Sequence, residues 1–109
     1  MEEEKGVVKR ALLLKFKDEI APDQIEQLVK GQSRLVDLIE PLKSFHWGRS
    51  VSIGNSPQGF THIFEFVFES AEGIAEYTAH PAHVEFSNRY GPYIDDFVMI
   101  DYKPTIFRT

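Results

Sequence analysis

The alternation of apolar and polar residues lays out the elements of this chain. From Val7 to Phe16, Arg10, Leu12, Leu14 and Phe16 fall on one face and Lys9, Ala11, Leu13 and Lys15 on the other, the period-two pattern of a strand. Lys17-Asp18-Glu19 is a polar exit. Pro22 suits the first turn of a helix, and Asp23 and Glu26 suit its positive end. Ile25, Leu28, Val29, Leu35, Val36, Leu38 and Ile39 form an apolar stripe that predicts this helix to about Glu40, where Pro41 ends it. Gly31 falls inside the helix at a cost of about 1 kcal/mol relative to Ala, and Gln32 borders the stripe.

Ser44 to Ile53 reads as a second strand and Gly54 to Gly59 as a turn cluster. Phe60 to Glu69 carries the strongest strand pattern. Phe60, His62, Phe64, Phe66 and Phe68 face one way, and Thr61, Ile63, Glu65, Val67 and Glu69 the other. Ser70 opens the next helix, with Glu72 in its first turn and Ile74 and Tyr77 along it. Pro81 disfavours helix in the residue before it and suits a helix start, so one helix ends near Thr78 and another runs from Pro81 to about Tyr90. After the Gly91-Pro92 break, Phe97 to Lys103 is the last strand. Phe97, Met99 and Asp101 share one of its faces; Val98, Ile100 and Tyr102 share the other. Residues 1–6 are expected as a flexible start, 7–104 as one domain and 105–109 as a tail.

The order β-α-β-β-α-(α)-β is the ferredoxin-like split β-α-β pattern: an α+β fold with one four-stranded antiparallel sheet and helices on one face. One helical layer leaves Leu13, Ile63, Val67, Val98 and Ile100 on the other face. Such an apolar patch marks an interface, and two sheets packed face to face would cover it, which predicts a homodimer through the sheet face.

Composition narrows the class. A length of 109 residues suits a single domain, and 42% apolar with 27% charged residues is ordinary for a soluble globular protein. A net charge of −5 offers no basic face for nucleic acid. The absence of cysteine excludes disulfides, thiolate metal sites and cysteine nucleophiles. The acidic Met1-to-Gly6 start is unlike a signal peptide, and no apolar run is long enough to cross a membrane, so a cytoplasmic protein is expected. Nine Phe, four Tyr and one Trp are many for this length; they suit a pocket, a core or an interface.

The candidate chemistry concentrates between Tyr77 and Phe86. His80 is placed at a helix N-cap and His83 in the first turn, where the helix dipole disfavours imidazolium. A neutral imidazole is what a general base needs at neutral pH. The alternative is that Tyr77 and His83 are core residues satisfied by hydrogen bonds. The helix-facing side of the sheet gathers Arg10, Leu12, Leu14, His62, Phe64, Phe97, Met99 and Asp101. The faces of the first and last strands are assigned partly from the resemblance below. Leu28, Val29 and Gln32 cover them from the first helix, and Tyr77 and His83 from the later ones. An apolar volume with a few polar groups has the character of a small-molecule pocket.

Asp101 could accept from one ring nitrogen of His83 and so make the other a base, or it could be a strand-end aspartate beside Arg10. Arg10 could bind an anionic group or reach solvent from the rim. His62 is open between core and pocket, and His46 beside Trp47 reads as structural. The four histidines lack zinc-ligand spacing, but free carbonyls at the end of the first helix could hold a hard cation such as Mg²⁺. Phosphate-binding glycine loops and a serine nucleophile elbow are absent.

Several motifs occur together: Phe16-Lys17-Asp18-Glu19-Ile20, Trp47-Gly48, Gly59-Phe60-Thr61-His62-Ile63, Phe68-Glu69-Ser70, His80-Pro81-Ala82-His83-Val84 and Ile100-Asp101-Tyr102. In this order they resemble the plant stress-response dimeric α/β-barrel family, over nearly the whole of Val7 to Pro104. The resemblance implies a homodimer whose sheets form a barrel. It also implies one of two roles: a cofactor-independent polyketide cyclase-like enzyme working by intramolecular aldol condensation on a small aromatic or polyketide-like ligand, or a chemically silent, heat-stable stress or defence protein. In the cyclase role, His83 matches the base, Tyr77 the donor to the developing oxyanion, and Asp101 the group that orients the histidine. His62 and His80 match further pocket histidines. A structural Mg²⁺ would rest on backbone carbonyls at Val36, Ile39 and Leu42. The cyclase has histidine at Arg10, tyrosine at Gln32, phenylalanines at Leu28 and Val29 and tryptophan at Ile94, so the pocket wall here differs in size and polarity.

Overall fold

Strict alternation along the third strand organises the sheet. In the computed structural model, which describes residues 2–3, 6–51 and 57–107, His62, Phe64, Phe66 and Phe68 are buried while Ile63, Glu65 and Val67 are half-buried. Parts of the expected flexible start (1, 4–5), of the second strand (52–53), of the following turn (54–56) and of the tail (108–109) lie outside the described residues.

The main elements are β1 (Val8–Phe16), α1 (Pro22–Leu38), β2 (Leu42–Arg49), β3 (His62–Phe68), α2 (Ala71–Ala79), α3 (Pro81–Tyr90) and β4 (Ile94–Tyr102). The sheet order is β2-β3-β1-β4, with every neighbour antiparallel. This is the ferredoxin-like α+β arrangement. Its extents, 42 × 38 × 18 Å, are those of one sheet under one layer of helices. Register groups the faces as the alternation predicts: Arg10 lies opposite Phe66 and Asp101, Leu12 opposite Phe64 and Met99, and Leu14 opposite His62 and Phe97.

The core lies between this face and the helices, built on Leu14, Leu28, Leu35, Ile39, Leu42, Phe64, Phe66, Phe68, Tyr77 and Tyr90. Gly31 has a packing reason. A Cβ there would stand 3.1 Å from the Tyr90 ring and 3.3 Å from the Phe86 ring, so its absence lets α1 and α3 approach closely. Ser70 caps α2 by accepting the Gly73 N–H at 3.0 Å.

Several boundaries differ from the sequence pattern. Helix α1 stops at Leu38, which is exposed, and the stripe closes instead on the fully buried Ile39. Strand β2 ends at Arg49. A 3₁₀ turn, Gly91–Tyr93, feeds β4 from Ile94, three residues before the expected start. Pairing with β1 across a register shift between Lys15 and Phe16 recruits those extra residues, a long-range contact that local alternation does not encode. The two ends of the chain also meet: Glu2 and Glu3 pair antiparallel with Thr105 and Ile106.

Candidate active site

The break between α2 and α3 sets up the chemistry. His80 caps α3, its Nδ1 accepting the Ala82 N–H at 3.0 Å, and Pro81 takes the first helical position. This brings His83 back against the end of α2, where carbonyls lack intrahelical partners. The Thr78 carbonyl lies 3.1 Å from His83 Nδ1. A carbonyl only accepts, so in the neutral ring Nδ1 carries the proton and Nε2 keeps its lone pair. The nearest donor to Nε2 is the Ser87 hydroxyl, at a long 3.3 Å. Burial holds the His83 pKa below the ordinary imidazole value; the Thr78 carbonyl opposes this shift and the Arg10 charge adds to it. His83 is therefore a neutral base at neutral pH.

Tyr77 lies beside it, with ring centroids 4.3 Å apart. Gln32 Nε2 donates to the Tyr77 oxygen at 3.0 Å, which leaves the phenol's own proton available to another acceptor. Burial raises the Tyr77 pKa against the lowering effects of the Gln32 hydrogen bond and the Arg10 charge, so the group remains an O–H donor.

A cavity of about 290 Å³ opens between sheet and helices. Of the residues expected around a pocket, Arg10, Leu12, Leu14, Leu28, Gln32, Phe64, Tyr77, His83, Phe97 and Met99 line it. Val29, His62, His80 and Asp101 do not. Val29 packs against the core, and His80 is committed to its cap. His62 sits toward the end of the sheet, 2.7 Å from Thr61 Oγ1, edge-on to Phe16 and stacked on Trp47. It borders a different cavity of about 470 Å³ with Leu13, Ile63 and Val98. His46 pairs with Glu65 at 2.8 Å in an exposed position.

The expected link from Asp101 to His83 is not made. Asp101 grips Arg10 on two points, Nε to Oδ1 at 2.7 Å and Nη2 to Oδ2 at 3.1 Å. Register places residues 10 and 101 directly opposite, and a guanidinium fork matches a carboxylate better than a single ring N–H does. The Thr78 carbonyl fixes the His83 tautomer instead.

Ile94, the position of the cyclase tryptophan, also lines the cavity, as do Phe66, Thr78, Phe86, Ser87, Tyr90 and Gly91, which the sequence reading does not place there. The signal was present for three of them. Phe86, Ser87 and Tyr90 stand three, four and seven positions after His83, the spacing of one helix face.

The carbonyls of Val36, Ile39 and Leu42 fall at the α1–β2 turn, where the Ile39 oxygen accepts the Leu42 N–H at 3.0 Å. Among the described residues no group of three or more His, Asp or Glu is arranged to hold a metal.

Two histidines make the fold acid-sensitive. The pKa values of His62 and His83 are both lowered, chiefly by burial, with Arg49 contributing at His62 and Arg10 at His83. The unfolded chain takes up these protons near the ordinary value of about 6.5, before the folded one does. The contribution of the two histidines to stability is therefore full above that pH and is lost progressively as pH falls from it through the lower values of the folded state. The midpoint of thermal unfolding should be lower at pH 5 than at pH 7, and the drop should shrink in His62→Gln. An equal drop in that variant would rule out His62 as a source.

Comparison with known proteins follows the same outline. The Stress responsive A/B Barrel Domain family matches residues 8–104. The stress-response A/B barrel domain-containing protein HS1 of Arabidopsis thaliana is 59% identical over 105 residues, 96% of each chain. Olivetolic acid cyclase of Cannabis sativa is 42% identical over 97 residues, 89% of this chain and 96% of the cyclase. A dimeric ferredoxin-like protein of Thermobifida fusca superposes with a TM-score of 0.77 at 21% identity, covering 95% of this chain and all of that one. Among the described residues no helix is long and apolar enough to cross a membrane.

Proposed function

Since the chain belongs to the stress-responsive A/B barrel domain family, we propose that it is a cofactor-independent enzyme of the polyketide cyclase type. The carrying observation is that a neutral imidazole, proton locked on Nδ1 by Thr78, shares an apolar cavity with a buried tyrosine. In the proposed reaction, His83 Nε2 removes a proton from a carbon between two carbonyls, and the Tyr77 hydroxyl donates to the oxygen that gains charge. The carbanion attacks a distant ketone of the same molecule, a C–C bond forms, and the new alkoxide takes the proton back from His83. Arg10 does not fill the volume, because Asp101 holds its guanidinium. The volume, about 290 Å³, falls just short of the usual range of ligand pockets, about 300–1,000 Å³, and suits a small ligand. The 42% identity to olivetolic acid cyclase supports the reaction type.

Deuterium exchange at the central carbon of a small β-diketone, followed by NMR in D₂O, tests this. The protein should accelerate exchange saturably above buffer, and Tyr77→Phe should lower the rate. Exchange at the buffer rate would leave the chemically silent stress protein as the better reading.

The same chain acts, in this reading, as a homodimer. Val98 and Ile100 are 40% and 58% exposed on the sheet face that the helices leave open, in line with Leu13, Ile63 and Val67. Light scattering should give twice the 12.5 kDa chain mass, and Ile100→Lys should halve it; a wild-type monomer would remove the proposal. A hard cation such as Mg²⁺ at the Val36, Ile39 and Leu42 carbonyls would be structural, tying α1 to β2. Ile39 keeps a second lone pair for it.

A further inference from the structure

The Arg10 guanidinium is held by two partners and keeps one edge free. Its Nε/Nη2 fork is taken by Asp101, and its Cζ lies over the Phe68 ring, 5.4 Å from the ring centre. A guanidinium has a second fork, formed by Nη1 and the other Nη2 hydrogen. Nothing among the described residues bonds to Nη1, yet no buried side-chain nitrogen or oxygen is left without a partner. Nη1 therefore keeps accessible surface, and Arg10 lines the cavity. No Asp or Glu is among the lining residues, and His83 is neutral there at neutral pH. Among the described residues Arg10 is the one formal charge on a wall otherwise made largely of Leu and aromatic side chains.

We propose that Arg10 is a specificity-determining residue: its free Nη1/Nη2 fork makes the pocket select an organic acid with an apolar body, the carboxylate docking on Arg10 and the body lying toward Tyr77 and His83. This rests on the pocket assigned above. Asp101 has two effects. It aims the guanidinium, and its negative charge opposes that of the ligand. Anchoring a carboxylate there places the rest of the ligand toward the base, since Arg10, Tyr77 and His83 line one cavity of about 290 Å³.

The test compares 3-phenylpropionate with its neutral isostere 3-phenylpropionamide, titrated against the protein at pH 7 by calorimetry and amide chemical shifts. Charge-assisted hydrogen bonds are roughly twice as strong as neutral ones, so the acid should bind on the order of ten-fold tighter than the amide. In Arg10→Met, which keeps an apolar stem, the acid should come level with the amide. The double variant Arg10→Met/Asp101→Asn leaves no lone carboxylate and should behave alike, which covers a folding failure of the single one. Asp101→Asn should widen the acid's advantage. Amide binding without preference for the acid, or a preference that survives Arg10→Met, overturns the proposal while the pocket stands. If neither probe binds at millimolar concentration, the pocket itself falls with it.

Discussion

His83→Ala is expected to lower α-proton exchange on a β-diketone by about 10²–10⁴-fold, the usual contribution of a positioned general base. Among the described residues the imidazole is the one neutral nitrogen base on the cavity wall, and its lone pair sits on Nε2 because the Thr78 carbonyl holds the Nδ1 proton. Removing it leaves Tyr77 and Gln32 in place, so ligand affinity should fall much less than the rate. His83→Gln gives a sharper comparison. Its amide keeps a polar side chain of similar length but offers no base, so packing is largely kept and exchange should remain lost. The lowered pKa adds a signature. Wild-type exchange requires neutral His83 and should persist to a lower pH than an ordinary imidazole would allow. Wild-type rates in His83→Gln would show that the base lies elsewhere.

Phe68→Ala should destabilise the fold by about 3–5 kcal/mol, the range for deleting a fully buried phenylalanine. Phe68 has no exposed surface and lies opposite both Val8 and Leu42, so it joins three strands. Its ring packs against Phe66, centroids 6.1 Å apart, against Tyr77 at 5.1 Å, and under the Arg10 guanidinium. The sheet backbone cannot close around the void, because its register is held on both sides. Against a total stability of about 5–15 kcal/mol, the loss is a large share. Denaturant unfolding measures it, and a loss under about 1 kcal/mol would show that the core relaxes into the space. Tyr77 should lose its packing on that side, so the variant's exchange rate should fall as well.

Much of this molecule is legible from local chemistry. The Phe60-to-Glu69 alternation named the buried face of β3 residue by residue. Ser70 and Pro81 marked helix starts because a hydroxyl cap and a fixed φ act within a few residues of themselves. The two-residue repeat of a strand groups Arg10 with Leu12 and Leu14, and Phe97 with Met99, while the assignment of those two faces to the helix side draws partly on the family resemblance. Tyr77 and His83 could be picked out as a pair, since the Thr78-to-Pro81 break brings two helix ends together.

Partnership across the fold could not be read in this way. Asp101 was open between His83 and Arg10, and register decided it by placing a two-pronged donor directly opposite. Whether His62 and His80 reached the pocket depended on the length of β3 and on the cap that claimed His80. The start of β4 depended on pairing with β1, and the burial of Ile39 in place of Leu38 on where α1 met the sheet. Periodicity, caps and turn residues act over a few residues, so the order of elements and the alternation within each strand are legible in the chain, and the run of motifs points to the family. Which donor meets which acceptor is a property of the folded chain, because hydrogen bonds form between groups that long-range register brings within about 3 Å.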